Sequence, residues 1–321
     1  MSASPKRKSA TKQTHDQATT AFSSASSSAS SATATPRGLA STSRSGSVAA
    51  DPDFITLTAG PAQIVIDLAA GARIASWKIH GLELLEPRSL DNHPFGWGSY
   101  AMVPYAGRIR NGQLGFEGNS YQLPINMGDH AIHGIGYNRP WTLLSATNTL
   151  AIVGLRFSDP WPFAGTVTHL FQLSNDRLIQ QMSVSPSVDQ PITIGWHPWF
   201  RRELERGSTL ELDVNMAHAR QWQRDASGIP SGKLDEVGPR PWDDCFRGTT
   251  DLALRWPGAL TLNVTHDCTD VVIYDPEHAI CVEPQSGPPN AANITPDHAY
   301  VPAGSALEHT VQWRWTMASR P

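Results

Sequence analysis

Residues 259–266 read ALTLNVTH. Leu260, Leu262, Val264 and His266 fall on one set of alternate positions, and Ala259, Thr261, Asn263 and Thr265 on the other. Successive side chains of a β-strand point to opposite faces, so a period of two with one apolar set marks a half-buried strand. EHTVQWRW, 308–315, repeats the pattern with Val311, Trp313 and Trp315 on one face. Toward the N-terminus, FITLT (54–58), QIVID (63–67) and RIASWKI (73–79) are short runs rich in β-branched residues, separated by Gly or Pro. LAIVGLRF, TVTHLFQL and RLIQQMSV follow between 150 and 184, and GQLGFEGNSYQL (112–123) reads as a hairpin turning at Gly118-Asn119. No helix of ten or more residues is expected. Short strands punctuated by 25 Gly and 25 Pro predict an all-β protein, a large antiparallel β-sandwich.

The first 50 of the 321 residues differ from the rest. They hold 14 Ser, 11 Ala and 7 Thr, with six Lys or Arg against one acid. Such a segment has little to bury and cannot offset the entropy of ordering it, so residues 1–50 are expected to be a disordered, solvated basic tail. It lacks the apolar stretch of a secretory signal; its Ser-rich, acid-poor composition also suits a transit peptide, but without a clear amphipathic stripe. Residues 51–321 carry 19 basic and 28 acidic groups and are expected to form one domain. That acidic body argues against a nucleic-acid groove, and no apolar run reaches the ~18 residues of a membrane helix. Cys245, Cys268 and Cys281 are odd in number and lack CxxC spacing. They fit a reducing, cytoplasmic setting better than a disulfide framework.

Five polar clusters interrupt the apolar background. In AICVEPQSGPPNAAN (279–293), Glu283 follows the strand-like Ile280-Cys281-Val282, and Pro284, Gly287, Pro288 and Pro289 are expected to stop helix and ladder beyond it. A carboxylate at the mouth of an apolar strand is partly desolvated, which raises its pKa and makes it a better proton acceptor. In ITIGWHPWF (192–200), His197 ends a strand between Trp196 and Trp199; its reference pKa near 6.5 suits a general acid. MVPYAGRIRNG (102–112) carries Arg108 behind Gly107, a fork of donors for a sugar oxygen. GDHAIHGIGYNRPW (128–141) carries His130 and His133, whose i, i+3 spacing is a weak metal signal. RPWDDCF (240–246) sets Asp243 beside aromatics, where a sugar hydroxyl can donate to it. Read singly, each also fits an ordinary surface, turn or packing residue.

In this order, R-I-x-x-G, H-G, H-P-W-F, D-x-x-F and E-P-Q resemble the aldose 1-epimerase (galactose mutarotase) family over roughly residues 55–315. The resemblance implies a β-supersandwich with an open sugar cleft and cofactor-free, metal-free interconversion of the α and β anomers of an aldohexose. It implies Glu283 as general base and His197 as general acid, Arg108 and His133 near the ring oxygen, and Asp243 on sugar hydroxyls. Trp141 and Trp199 are expected to line the cleft. The implied partner is a small sugar, with no nucleic acid and no membrane, and the chain is expected to be a monomer, a dimer being the alternative. Gly107 stands where the family often has Asn, Ile135 where it has a second Gly, Trp199 where it has Tyr or Phe, and Asn290 where it has Asp. These departures put galactose as the substrate in doubt. Two alternatives stay open on the same fold: a hexose-6-phosphate epimerase using Arg108, Arg110, Arg139, Arg201 and Arg202, and a non-catalytic carbohydrate-binding module. A third, a metal-dependent cupin-like enzyme, would use His130, His133 and Glu283.

Overall fold

The alternation in the sequence builds two large antiparallel sheets. The computed structural model describes residues 53–89, 93–249 and 251–319; the tail, residues 1–50, lies outside them. The longer sheet has twelve strands. Its path runs Phe54–Ala59, Ala62–Asp67, Arg73–Ile79, Ser99–Met102, Gly195–Pro198, Ala279–Gln285, Asp270–Tyr274, Asp243–Arg247, Arg220–Arg224, Pro230–Asp235. Leu82–Glu83 and Phe200–Arg201 pair beside it. The second sheet has eight strands in the order Thr142–Ala146, Leu150–Phe157, Gly165–Leu173, Arg177–Pro186, Leu307–Met317, Leu260–His266, Leu252–Trp256, Glu211–Val214. The only α-helices among the described residues are Ala291–Ile294 and Pro296–Ala299. No helix among them is long and apolar enough to cross a membrane.

The expected faces hold within the strand, while Ala259, just before it on the expected polar face, is buried in the core. Leu260, Leu262 and Val264 are buried, and Asn263 and Thr265 between and beyond them are exposed. Val311, Trp313 and Trp315 are buried in the neighbouring strand. These residues meet the inner face of the long sheet. Trp77 stands edge-on to Trp313 with ring centroids 6.2 Å apart, and Phe200 packs on Trp313 at 5.4 Å. Edge-to-face aromatic pairs add to the burial of the rings themselves, so truncating Trp313 to Ala would cost roughly 3–5 kcal/mol. All eleven Trp are buried, and most serve packing.

Three local readings need correction. The hairpin joins Gln113–Phe116 to Asn119–Gln122, but Phe116 pairs with Asn119, so Glu117 and Gly118 make the turn. Both have positive φ, 48° and 77°, the geometry of a type I′ turn that matches strand twist. Glu283 is not beyond the strand mouth: the strand runs Ala279–Gln285, through Pro284. The prolines after it do not forbid helix either, because the short helix Ala291–Ile294 begins once they have passed, and Pro296 opens the next at its first turn, where its missing N–H costs nothing.

Candidate active site

The long sheet sorts its side chains by parity. From the segment around Gly195–Pro198, Trp196 and Phe200 enter the core between the sheets, while Trp199 joins a second apolar cluster on the outer face with Phe95, Tyr100, Met102, Ile132, Tyr137 and Cys281. His197 pairs in register with Tyr100. Gly195 pairs with Gln285, so two residues further along each strand His197 and Glu283 come side by side on the outer face. His197 Nε2 lies 3.2 Å from Glu283 Oε1. The next strands continue the row, Glu283 pairing with Val272 and Val272 with Cys245.

Loops wall this row into an open pocket with about 260 Å³ of solvent-accessible space. His197, Glu283 and Val272 lie in its floor, and Arg108, His133, Asp243, Tyr274, Trp199 and Phe95 stand among its walls. Arg108–Ile109 pairs with Ala131–Ile132, which brings Arg108 and His133 to one side. His133 has φ 61°, uncommon for a residue with a Cβ. Its N–H donates to the Gly107 carbonyl at 3.0 Å. Gly134 follows because a Cβ there would sit 2.1 Å from the Val103 carbonyl oxygen.

His197 is held by its rings. It stacks on Tyr100 with centroids 4.8 Å apart and on Trp199 at 5.3 Å and 11°. Trp199 stacks in turn on His278 at 5.7 Å. Tyr100 also carries the guanidinium of Arg73, 4.5 Å from its centroid. Arg73 is only 2 % exposed and donates to the carbonyls of Trp97 and Pro94; among the described residues no carboxylate pairs with it directly. Burial lowers its pKa to about 10.

Burial dominates the titration of the floor. It pushes the Glu283 carboxyl well above the usual carboxylate range; the Asp243 charge adds to the rise and Arg108 opposes it. Burial, then the Arg73 charge, lowers His197 to about 3. Burial also holds His133 well below its ordinary value, with His197 and Arg108 lowering it further. A charge on either floor group alone is penalised by burial, so both shifts run toward a neutral pair, a protonated carboxyl beside a neutral imidazole. A carboxyl and an imidazole in contact can take a proton from one ligand atom and return one to another.

Of the residues singled out in sequence, Glu283, His197, Arg108, His133, Asp243 and Trp199 converge here. Trp141 does not. It is buried in the main core, its indole N–H donating to the Gly136 carbonyl at 2.9 Å. His130 is also elsewhere, accepting from the Asn111 N–H at 3.1 Å, so the His130–His133–Glu283 metal trio is not assembled. Arg73, Tyr100, His93, Phe95 and Tyr274 went unnoticed in sequence. Only the polar–aromatic string HPFGWGSY, 93–100, offered a signal for several of them.

Residues 53–317 match the sequence profile of the aldose 1-epimerases. The chain belongs to the aldose 1-epimerase family. It is 27 % identical over 266 residues to YihR of Escherichia coli K12, an uncharacterized protein, covering 74 % of this chain and 85 % of that one. The fold is that of the galactose mutarotase-like protein of Clostridium acetobutylicum (TM-score 0.73, 17 % identity, 83 % of this chain and 95 % of that one). It is shared by galactose 1-epimerase of Lactobacillus acidophilus NCFM (TM-score 0.69, 19 % identity, 83 % and 95 %).

Two departures of this epimerase-family chain from the usual motifs have local causes. Gly107 has φ 68°, and a Cβ there would lie 2.6 Å from the Pro289 ring. Asn290 adopts the left-handed conformation (φ 66°), which Asn tolerates well. Its Oδ1 accepts from Asn293 at 2.6 Å.

Proposed function

We propose that this protein is a cofactor-independent aldose 1-epimerase acting on a free, unphosphorylated aldohexose, with residues 51–321 as its catalytic unit and the sugar as its partner. The observation that carries this reading is the buried Glu283–His197 pair, 3.2 Å apart in the floor of the pocket. The empty pair is neutral. A sugar whose O1 hydroxyl donates to Glu283 and whose ring oxygen accepts from His197 favours the carboxylate–imidazolium form, because hydrogen bonds to a charged form stabilise it. Glu283 then takes the O1 proton while His197 gives one to the ring oxygen. The C1–O5 bond breaks and an aldehyde forms. After rotation about C1–C2, the same two transfers run backwards onto the other face of the carbonyl. Proton count and charge are restored, so the chemistry balances with one acid and one base.

Arg108 and His133, on one side of the pocket, suit the ring oxygen; Asp243 suits hydroxyls. Trp199, stacked on His197 and on His278, adds an apolar part of the wall. The phosphosugar alternative loses its support in the arginines. Arg110 pairs with Asp225, Arg201 with Glu205 and Arg202 with Asp275. Arg139 donates to the Asp159 carbonyl, leaving only Arg108 of the five in the pocket wall. The test is polarimetry of freshly dissolved α-D-glucose, α-D-galactose and glucose 6-phosphate. A free hexose should relax faster with the protein than without it. Acceleration confined to the phosphosugar would favour that branch, and sugar binding without acceleration would favour a binding module.

A further inference from the structure

We propose that the pocket floor is also a binding site for a thiophilic divalent cation of the zinc class, held by His197, Cys281 and Glu283, and that cation and sugar exclude one another there. The three side chains each offer one ligand atom, and these atoms lie within 4.8 Å of one another. Cys281 and Glu283 are two apart in the strand Ala279–Gln285, so both project from the same face. His197 comes from the adjoining strand. The 3.2 Å between His197 Nε2 and Glu283 Oε1 is close to the separation of about 3.3 Å between nitrogen and oxygen ligands on tetrahedral zinc. The Cys281 thiol, within 4.8 Å of the other two ligand atoms, completes a nitrogen, sulfur and oxygen set. Such a set selects zinc-like metals over magnesium or calcium, which prefer oxygen alone.

All three residues are buried, and the pocket opens above His197 and Glu283, which leaves a fourth position for water or a sugar oxygen. Charge balances as well. The cation replaces the proton of the Glu283 carboxyl and the proton of the Cys281 thiol, releasing two protons, and its two positive charges meet one carboxylate and one thiolate. The nearby positive charges of Arg73 and Arg108 oppose a bare cation, so the two anionic ligands are required. Cys281 has no part in the proton transfers, which gives the proposal a clean variant. A second cluster, Asp267, Cys268 and His309, also has its ligand atoms within 4.8 Å. There Asp267 Oδ1 already bonds His309 Nδ1 at 2.9 Å and the Thr310 N–H at 3.0 Å, and Asp267 is mostly exposed, so it serves as the control.

The sugar half of the proposal rests on the epimerase reading; the metal half does not. The experiment adds Co²⁺ to the chelator-treated full-length protein and follows near-ultraviolet thiolate-to-cobalt absorption. The expected result is a saturable band that Zn²⁺ displaces. It should vanish in Cys281→Ser and Cys281→Ala and persist in Cys268→Ser, all with melting temperatures near that of the wild type. Zn²⁺ should then abolish acceleration of anomer exchange in the wild type and leave Cys281→Ser active. A band that survives in both Cys281 variants, one lost in Cys268→Ser, or no band at all would overturn the site. Cobalt binding without any epimerase activity would sustain the site and count against the proposed function alone.

Discussion

His197 and Glu283 touch across two neighbouring strands, Nε2 to Oε1 at 3.2 Å, and neither has more than about a twentieth of its surface exposed. Two titratable groups so close in a dry site ionise as a unit. In the proposed reaction the unit is competent while it holds one proton.

The first consequence is a flat acid side to the pH profile. An imidazole with its ordinary value would show a step in kcat/KM at pH 6.5. Here burial and Arg73 lower His197 to about 3, so kcat/KM should stay level as pH falls through 6.5 and decline only near 3, or where the protein unfolds. A clear titration step at 6.5 in the free enzyme would contradict the neutral pair.

Asp243 and Arg108 should move the alkaline limb in opposite directions. Asp243 raises the Glu283 pKa and Arg108 lowers it. Removing the negative charge in Asp243→Asn should shift the limb to lower pH, and removing the positive charge in Arg108→Gln should shift it higher. Both variants should also raise KM. The measurement is the pH dependence of kcat/KM, and shifts of the same sign in both would exclude the assigned electrostatics.

Acid stability depends on a histidine outside the site. His169 is buried in the core, accepts from the Trp196 indole N–H at 3.0 Å, and is lowered by burial to about 3. The unfolded chain therefore binds a proton below 6.5 that the native state refuses. The native state loses stability from this group as pH falls from 6.5 toward 3, with a limiting slope of about 1.4 kcal/mol per pH unit. His169→Gln keeps an acceptor for Trp196 and should flatten that fall in urea titrations. His133, His197 and His266, lowered in the same sense, add to the slope. An unchanged slope would mean that His169 is protonated in the native state.

Gly107→Asn tests a departure from the family's usual motif. The new Cβ would meet the Pro289 ring at 2.6 Å at a backbone with positive φ. The strain should displace Arg108 or the loop at Pro289, costing at least tenfold in kcat/KM and lowering the melting temperature. A variant with native activity would show that the loop at Pro289 yields freely.

The fold was legible because it rests on local alternation. ALTLNVTH names its own buried face, and so does Val311-Gln312-Trp313. Glu283 and His197 were legible because each sits on a short motif. The residues supporting them were not. Arg73 lies in a strand that reads as ordinary, and only sheet order brings Tyr100 between that strand and His197. Trp141 misled for the opposite reason: beside the His133 loop it looked like a cleft wall, yet its indole turns into the core. The surroundings of the arginines were not legible either, because spacing does not reveal that Asp225, Glu205 and Asp275 lie beside three of them.

Exchange between the α and β anomeric proton signals of an aldohexose at equilibrium, followed by NMR with wild-type protein and with Glu283→Gln, bears most directly on whether the floor pair drives the reaction. The side chains match in shape, and only the carboxyl's proton chemistry is lost. Wild type should exchange the anomers well above the spontaneous rate, and Glu283→Gln, with an unchanged melting temperature, should return exchange to background. A variant that keeps most of the wild-type rate would remove Glu283 from the chemistry and with it the proposed mechanism.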